Sequence, residues 1–211
     1  MAGFGAVVLA GGAAHRMGGV DKPGAPVGGV AMRDRVLAAV THAAPRIVVG
    51  PLPYPPPGVL VVREQPPGAG PVAATAAGLA AVEPAVDSAV GPGAGSAPEL
   101  VALLAADLPL LTARAVDQLI RTVRQQPVDG ALYVDDTGRR QLLCGVWRTA
   151  RLRDAITRLA AQRVGDVTGA SMRSLLCGLD VAEVTWRDDG PPPWFDCDTE
   201  QDVRRAEEWS R

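Results

Sequence analysis

Short apolar runs separated by glycine- and proline-rich joints dominate the N-terminal half of the chain. Gly5 to Ala10 has no polar position, which predicts a strand buried on both faces. After a glycine-rich stretch to about Gly29, Arg33 to Ala44 places Val36, Leu37 and Val40 on one side of a helix. Arg46 to Val49 and Val59 to Val62, joined by PLPYPPPG, are β-branched, bounded by prolines and too short for helices, so they read as buried strands. Val72 to Val82 is Ala-rich and helical in pattern. Leu100 to Ala105 predicts a strand, and Thr112 to Arg124 a helix. Further strands are expected at Ala131 to Val134, Gln141 to Trp147 and Leu179 to Trp186, with helices at Thr149 to Gln162, Ser171 to Leu176 and Thr199 to Trp209. Residues 83–98 hold small residues, Pro and Gly without a period, a flexible surface loop inside one domain spanning residues 1–211. This alternation of apolar strands with helices predicts an α/β protein. The expected form is a single Rossmann-like, doubly wound, mostly parallel sheet.

Composition narrows the function classes. A chain of 211 residues, 47% hydrophobic and 21% charged with a formal charge of −2, has enough apolar content for a core and no global field to draw nucleic acid or an anionic membrane. No apolar stretch reaches the roughly 18 residues of a membrane span. The 3 cysteines form no CxxC pair and have no close histidine, so reduced thiols in a cytoplasmic protein are expected, without a zinc site.

Any anion site must therefore be local, and the segment after the first strand has the right residues for one. Leu9-Ala10-Gly11-Gly12 leads through His15 and Arg16 to Lys22. Glycines let backbone N–H groups approach an oxyanion, and Arg16 and Lys22 supply charge-assisted bonds to successive phosphates, with His15 a minor contact. Neither GxxxxGK[ST] nor GxGxxG fits here. Lys22 is the one lysine among 21 Lys and Arg residues, which marks a place where an ammonium differs from a guanidinium.

Acidic residues supply the other half of a site. Asp107, just past the strand ending at Ala105 and followed by Leu108-Pro109, belongs at the carboxyl edge of the sheet, where open α/β folds bind ligands. Asp196 and Asp198, two apart in extended chain, share a face and could join Asp107 around Mg²⁺ that also holds substrate phosphates. Asp198 reads equally well as a helix N-cap with Gln201 at the capping-box position, so Asp196 is the stronger metal candidate. Glu64 could accept from the N–H pair of a base, and Gly70-Pro71 could form a flat wall against it; a loop that simply turns explains them as well. His42 is expected near the end of its helix, facing solvent. No Ser/His/Asp or Cys/His nucleophile set is present.

Residues Leu9 to Lys22 resemble, position by position, the LAGGxxxRMGxxDK signature of the MobA-like molybdenum cofactor guanylyltransferases. Gly70 to Leu79 is similar to the family's GPLAG segment, Asp107 to its DxP element, and Gly145-Val146-Trp147 to its late strand. The ending Asp196-Cys197-Asp198-Thr199-Glu200 is closer to the DxDTPED of related transferases, with Glu200 in place of Pro. The resemblance implies a nucleotide-diphospho-sugar-transferase-like fold. It also implies NTP binding through Leu9, Ala10, Gly11, Gly12, Arg16, Lys22, Glu64, Gly70 and Pro71, with Lys22, Arg16 and Asp107 catalytic. Mg²⁺ would be held by Asp107 with Asp196 or Asp198. The implied reaction moves GMP from GTP to the terminal phosphate of molybdopterin and releases pyrophosphate. Arg139 and Arg140 are candidates for binding that acceptor, and molybdoenzymes or cofactor-pathway proteins are candidate partners. Two alternatives stay open: a cytidylyltransferase or other NTP transferase with a different small phosphorylated acceptor, and a non-catalytic nucleotide-binding protein.

Overall fold

The structure, a computed structural model, describes residues 3–11, 22–82 and 97–210. The loop expected at 83–98 lies outside these residues except for its last two positions, and so do Gly12, His15 and Arg16.

Four central and flanking strands run parallel: β1 (Phe4–Leu9), β4 (Arg46–Val49), β5 (Val59–Val62) and β6 (Leu100–Ala105). With β7 (Gly130–Val134), β8 (Arg140–Arg148) and β9 (Val181–Thr185) they form a 7-stranded sheet in the order β5-β4-β1-β6-β8-β7-β9. β8 is antiparallel to both β6 and β7, while β9 returns parallel to β7. The mostly parallel expectation is met. From β1 the chain steps outward to β4 and β5, then returns to the other side of β1 with β6, so the strand order reverses between β1 and β6. Such a reversal opens a crevice at the carboxyl ends of the two strands.

Both faces of the sheet are covered, for the reason the continuous apolar runs suggest. Ala6 and Val8 of β1, with Ala102 and Leu104 of β6, pack toward α1 (Met32–Ala39) and α3 (Ala113–Gln125). The alternate residues Val7, Leu9, Val101 and Leu103 pack toward α2 (Pro71–Val82), α4 (Thr149–Gln162) and α5 (Met172–Leu176). The outermost strands depart from the two-sided burial expected of them. Leu60 and Val61 of β5 are 52% and 37% exposed, and β9 has no fully buried residue, because each lacks a neighbour on one side. None of the described helices is long and apolar enough to cross a membrane.

Several boundaries move. The helix expected over Arg33 to Ala44 ends at Ala39, and Thr41-His42 form an exposed turn closed by Ala43 N–H donating to the Val40 carbonyl. Pro45 disfavours helix at Ala44, the last residue of the expected span. The strand expected over Leu179 to Trp186 shrinks to β9. The glycine-rich stretch contains an unanticipated hairpin, β2 (Pro26–Val27) paired with β3 (Val30–Ala31). That hairpin packs on α6 (Glu200–Trp209) through a small third core of Val27, Met32, Leu110, Cys197 and Ala206.

Candidate active site

The third core carries the site's charged groups on its margins. Lys22 opens a short 3-10 turn to Gly24; Ala25 N–H closes the turn on the Lys22 carbonyl, and Met32 N–H donates to the Ala25 carbonyl. Opposite, the C-terminal loop is registered against the end of β6 by Cys197 N–H donating to the Asp107 carbonyl at 3.2 Å. The Cys197 side chain fills the core, where burial pushes its thiol up to about 12. Its neighbours Asp196 and Asp198 therefore flank Asp107.

Lys22 Nζ donates to Asp107 Oδ2 at 2.5 Å and to Asp198 Oδ1 at 2.7 Å. Its side chain is 18% exposed. Burial alone would lower its basicity, but the bonds and charges of the two aspartates outweigh it and hold Lys22 above an ordinary lysine. Asp196 is raised, first by burial and then by the charges of Asp198 and Asp107. Three carboxylates thus surround one ammonium. The proposed cap for α6 is corrected: Thr199, not Asp198, is the N-cap, and Asp202, not Gln201, completes the capping box. The Asp202 carboxylate also accepts from Asp198 N–H at 3.1 Å, so the helix start fixes the Asp198 backbone and leaves its side chain for Lys22.

An open cavity of about 1470 Å³ lies over the β1/β6 crevice. On one side it meets Leu9, Ala10, Gly11, Pro51 and Pro71; its floor is Ala105 to Leu108; on the other side lies the β7–β8 hairpin from Thr137 to Cys144. Lys22, Asp196 and Asp198 close one end, and Arg173 and Cys177 of the α5 region another. The hairpin turn is organised by Asp135, whose Oδ1 accepts from Thr137 N–H, Thr137 Oγ1 and Arg139 N–H. These bonds, the Thr137 hydroxyl first, hold Asp135 below its usual range. Arg139 and Arg140 both border the cavity, Arg140 while paired with Glu183 at 2.7 Å.

The expected nucleotide residues divide. Leu9, Ala10, Gly11, Lys22 and Pro71 line the cavity; Glu64 and Gly70 do not. Glu64 is buried and its Oε1 accepts from Gly68 N–H at 2.9 Å, so it organises its own loop. Gly11 lies against that carboxylate, but its N–H donates to the Val49 carbonyl at 3.1 Å. Gly70, at φ +98°, accepts from Ala74 N–H and starts α2. Sequence reasoning missed Gly50. At φ +134° a Cβ there would stand 2.7 Å from the Gly11 nitrogen and 2.8 Å from the Ala10 carbonyl carbon; Gly50 is what allows the chain leaving β4 to lie close against Ala10 and Gly11. Its only signal was its place after Val48-Val49.

Among the described residues no three His, Cys, Asp or Glu side chains form a metal cage. The donors available around Lys22 are carboxylate oxygens, a hard set suited to a cation that takes one or two carboxylates and completes its shell with phosphate and water.

Solved structures share this architecture. Molybdopterin-guanine dinucleotide biosynthesis protein A from Archaeoglobus fulgidus superposes with a TM-score of 0.68 at 18% identity, over 96% of each chain. The 2-C-methyl-D-erythritol 4-phosphate cytidylyltransferase of Thermus thermophilus gives 0.66 at 20% identity, over 98% of each. These two likenesses show a shared fold. The family model described as the MobA-like NTP transferase domain matches residues 6–179, and the chain belongs to that family. Similar proteins include the molybdenum cofactor guanylyltransferase of Bradyrhizobium sp. ORS 278, 29% identical over 95% of this chain and 90% of that one. The probable molybdenum cofactor guanylyltransferase of Mycobacterium tuberculosis H37Rv is 32% identical over 84% and 79%.

Proposed function

We propose that the protein is a Mg²⁺-dependent guanylyltransferase of the cytoplasm that transfers GMP from GTP to the terminal phosphate of molybdopterin and releases pyrophosphate. The observation that carries this reading is the placement of Lys22, between Asp107 and Asp198, at the end of a cavity that runs from the β1 glycine segment to the β7–β8 hairpin. At about 1470 Å³ it exceeds the roughly 300–1,000 Å³ of a typical one-ligand site and has room for two substrates side by side. The names of the relatives supply GTP and molybdopterin as the pair.

The chemistry asks the chain for positioning and charge. The Lys22 ammonium would donate to oxygens of the transferred and departing phosphates, and Arg16 and Gly12 would add further donors to the triphosphate. Asp107, with Asp198 and Asp196 beside it, would hold Mg²⁺, which supplies neutralisation of the phosphate charge. The acceptor phosphate is itself the nucleophile, so no enzyme nucleophile is needed. Cys144 fits this passive part: it is buried, with its thiol pushed up to about 12. Arg139, on the hairpin wall, is placed to meet an anionic acceptor.

Pyrophosphate release with molybdopterin and each of GTP, CTP, ATP and UTP tests the proposal. Release confined to Mg-GTP supports it. Release with CTP favours the cytidylyltransferase reading, which the Thermus thermophilus likeness keeps in view. Binding of nucleotide without turnover on molybdopterin overturns it.

A further inference from the structure

The Asp107–Asp198 gap is built by the scaffold. Asp107 follows β6, Asp198 precedes α6, and the Cys197–Asp107 backbone bond and the Asp202 carboxylate set both positions independently of Lys22. Lys22 reaches into that gap on a flexible four-carbon stem from the far side of the third core, and its Nζ contacts one oxygen of each aspartate. Magnesium binds carboxylate oxygens at about 2.0–2.1 Å. An ammonium and a divalent ion drawn to the same two oxygens repel each other as like charges at close range.

We propose that the Lys22 ammonium is the resident cation of this gap and that a divalent metal enters by displacing it, which frees Lys22 to turn toward the phosphates in the adjoining cavity. The inference rests on the reading, given above, of Asp107 and Asp198 as metal-holding carboxylates. It adds a relation between two parts usually counted separately. The lysine and the metal compete for one seat in the empty enzyme and cooperate once a polyphosphate gives the lysine another. Metal alone should therefore bind weakly, and metal with nucleotide strongly.

Both tests use the full-length protein without nucleotide or acceptor. Because Lys22 is the sole lysine of the chain, ¹⁵N-lysine labelling gives one ε-ammonium resonance. In metal-free protein it is shielded and observable; Mg²⁺ titrated to saturation of its calorimetric binding is expected to move it to the exchanging position of a free lysine. In parallel, Mn²⁺ binding is followed by loss of the free-ion electron paramagnetic resonance signal. Lys22→Met is expected to bind Mn²⁺ at least tenfold more tightly than the wild type, and Lys22→Met with Asp198→Asn to lose that gain. An ammonium resonance unmoved by bound Mg²⁺ overturns the proposal. So does Mn²⁺ affinity in Lys22→Met that is equal to or weaker than wild type, or a gain that survives Asp198→Asn. Should Lys22→Met not fold, Lys22→Gln takes its place. Failure of the pyrophosphate assay with displacement intact would sink only the guanylyltransferase reading, and the converse result only the competition.

Discussion

Asp198 and Asp107 share a single ammonium, that of Lys22, although one precedes the last helix and the other ends a central strand. The match to the family model ends at residue 179, so Asp198 comes from chain beyond it. The C-terminal segment, packed on the β2–β3 hairpin through Cys197 and Ala206, is thus part of the site.

Removing either central charge should stop turnover without unfolding the protein. Lys22→Met and Asp107→Asn are each expected to lower pyrophosphate release from Mg-GTP by at least about a hundredfold, since on the proposed reading each group would stabilise charge at the reacting phosphates. Thermal melts of both variants should remain cooperative. A rate within threefold of wild type removes that residue from the reaction.

Glu64 offers a direct choice between turn and base. Its Oε1 takes the Gly68 N–H and it stands outside the cavity lining. Glu64→Gln keeps an acceptor oxygen, so GTP affinity should stay within about threefold. Glu64→Ala leaves the Gly68 N–H unmatched and should cost about 1–3 kcal/mol of stability. A tenfold loss of GTP affinity in the Gln variant, with an unchanged melt, would restore the base-reading role.

Gly50→Ala is expected to be destabilising, by about 2–3 kcal/mol, since the new Cβ meets backbone at 2.7 Å and 2.8 Å in a left-handed conformation. In a chain of this length that corresponds to a fall in Tm of roughly 4–12 °C. Displacement of Gly11 should also raise KM for the nucleotide. An unchanged melting temperature would show that the close approach of Gly50 to Ala10 and Gly11 yields easily.

The Asp135 turn should fail at acid pH. Its folded value lies below the ordinary 3.8 of an aspartate, so its contribution is present above that value and is lost as pH falls through the lower folded one. The melting difference between wild type and Asp135→Ala, positive at pH 7, should shrink as pH drops below 4. At pH 7 the variant should raise KM for the acceptor severalfold more than KM for GTP. Equal effects on both substrates would contradict a hairpin wall dedicated to the acceptor.

Elements whose signal is local were legible in the sequence. β1 and β6 are continuous apolar runs, and α3 has a wide apolar face with Thr112 as its cap. The β2–β3 hairpin escaped because two-residue strands in a Gly/Pro-rich stretch have no period to read. The reversed direction of β8 escaped because an apolar run does not reveal which way it points. Asp198 was ambiguous because an aspartate before Thr199-Glu200-Gln201 suits a helix N-cap as well as a metal ligand; the side chain of Thr199 took the cap, accepting from Asp202 N–H at 3.2 Å. Glu64 and Gly50 depend on contacts with Gly68 and Gly11 that arise only when loops from different strands converge.

The antiparallel entry of β8 has a consequence for how such a molecule diversifies. A parallel neighbour at that position would need a crossover of a dozen residues or more, whereas β7 and β8 are joined by a tight turn at residues 135–139. Hairpin turns can be lengthened, shortened or exchanged without disturbing the register of the strands they connect. The wall they form here faces the glycine segment of β1 across the cavity, and no strand is common to both. One side of the cavity can therefore change its chemistry in descent or by design while the other keeps its own; on the proposed reading, that would make the choice of second substrate separable from the choice of nucleotide.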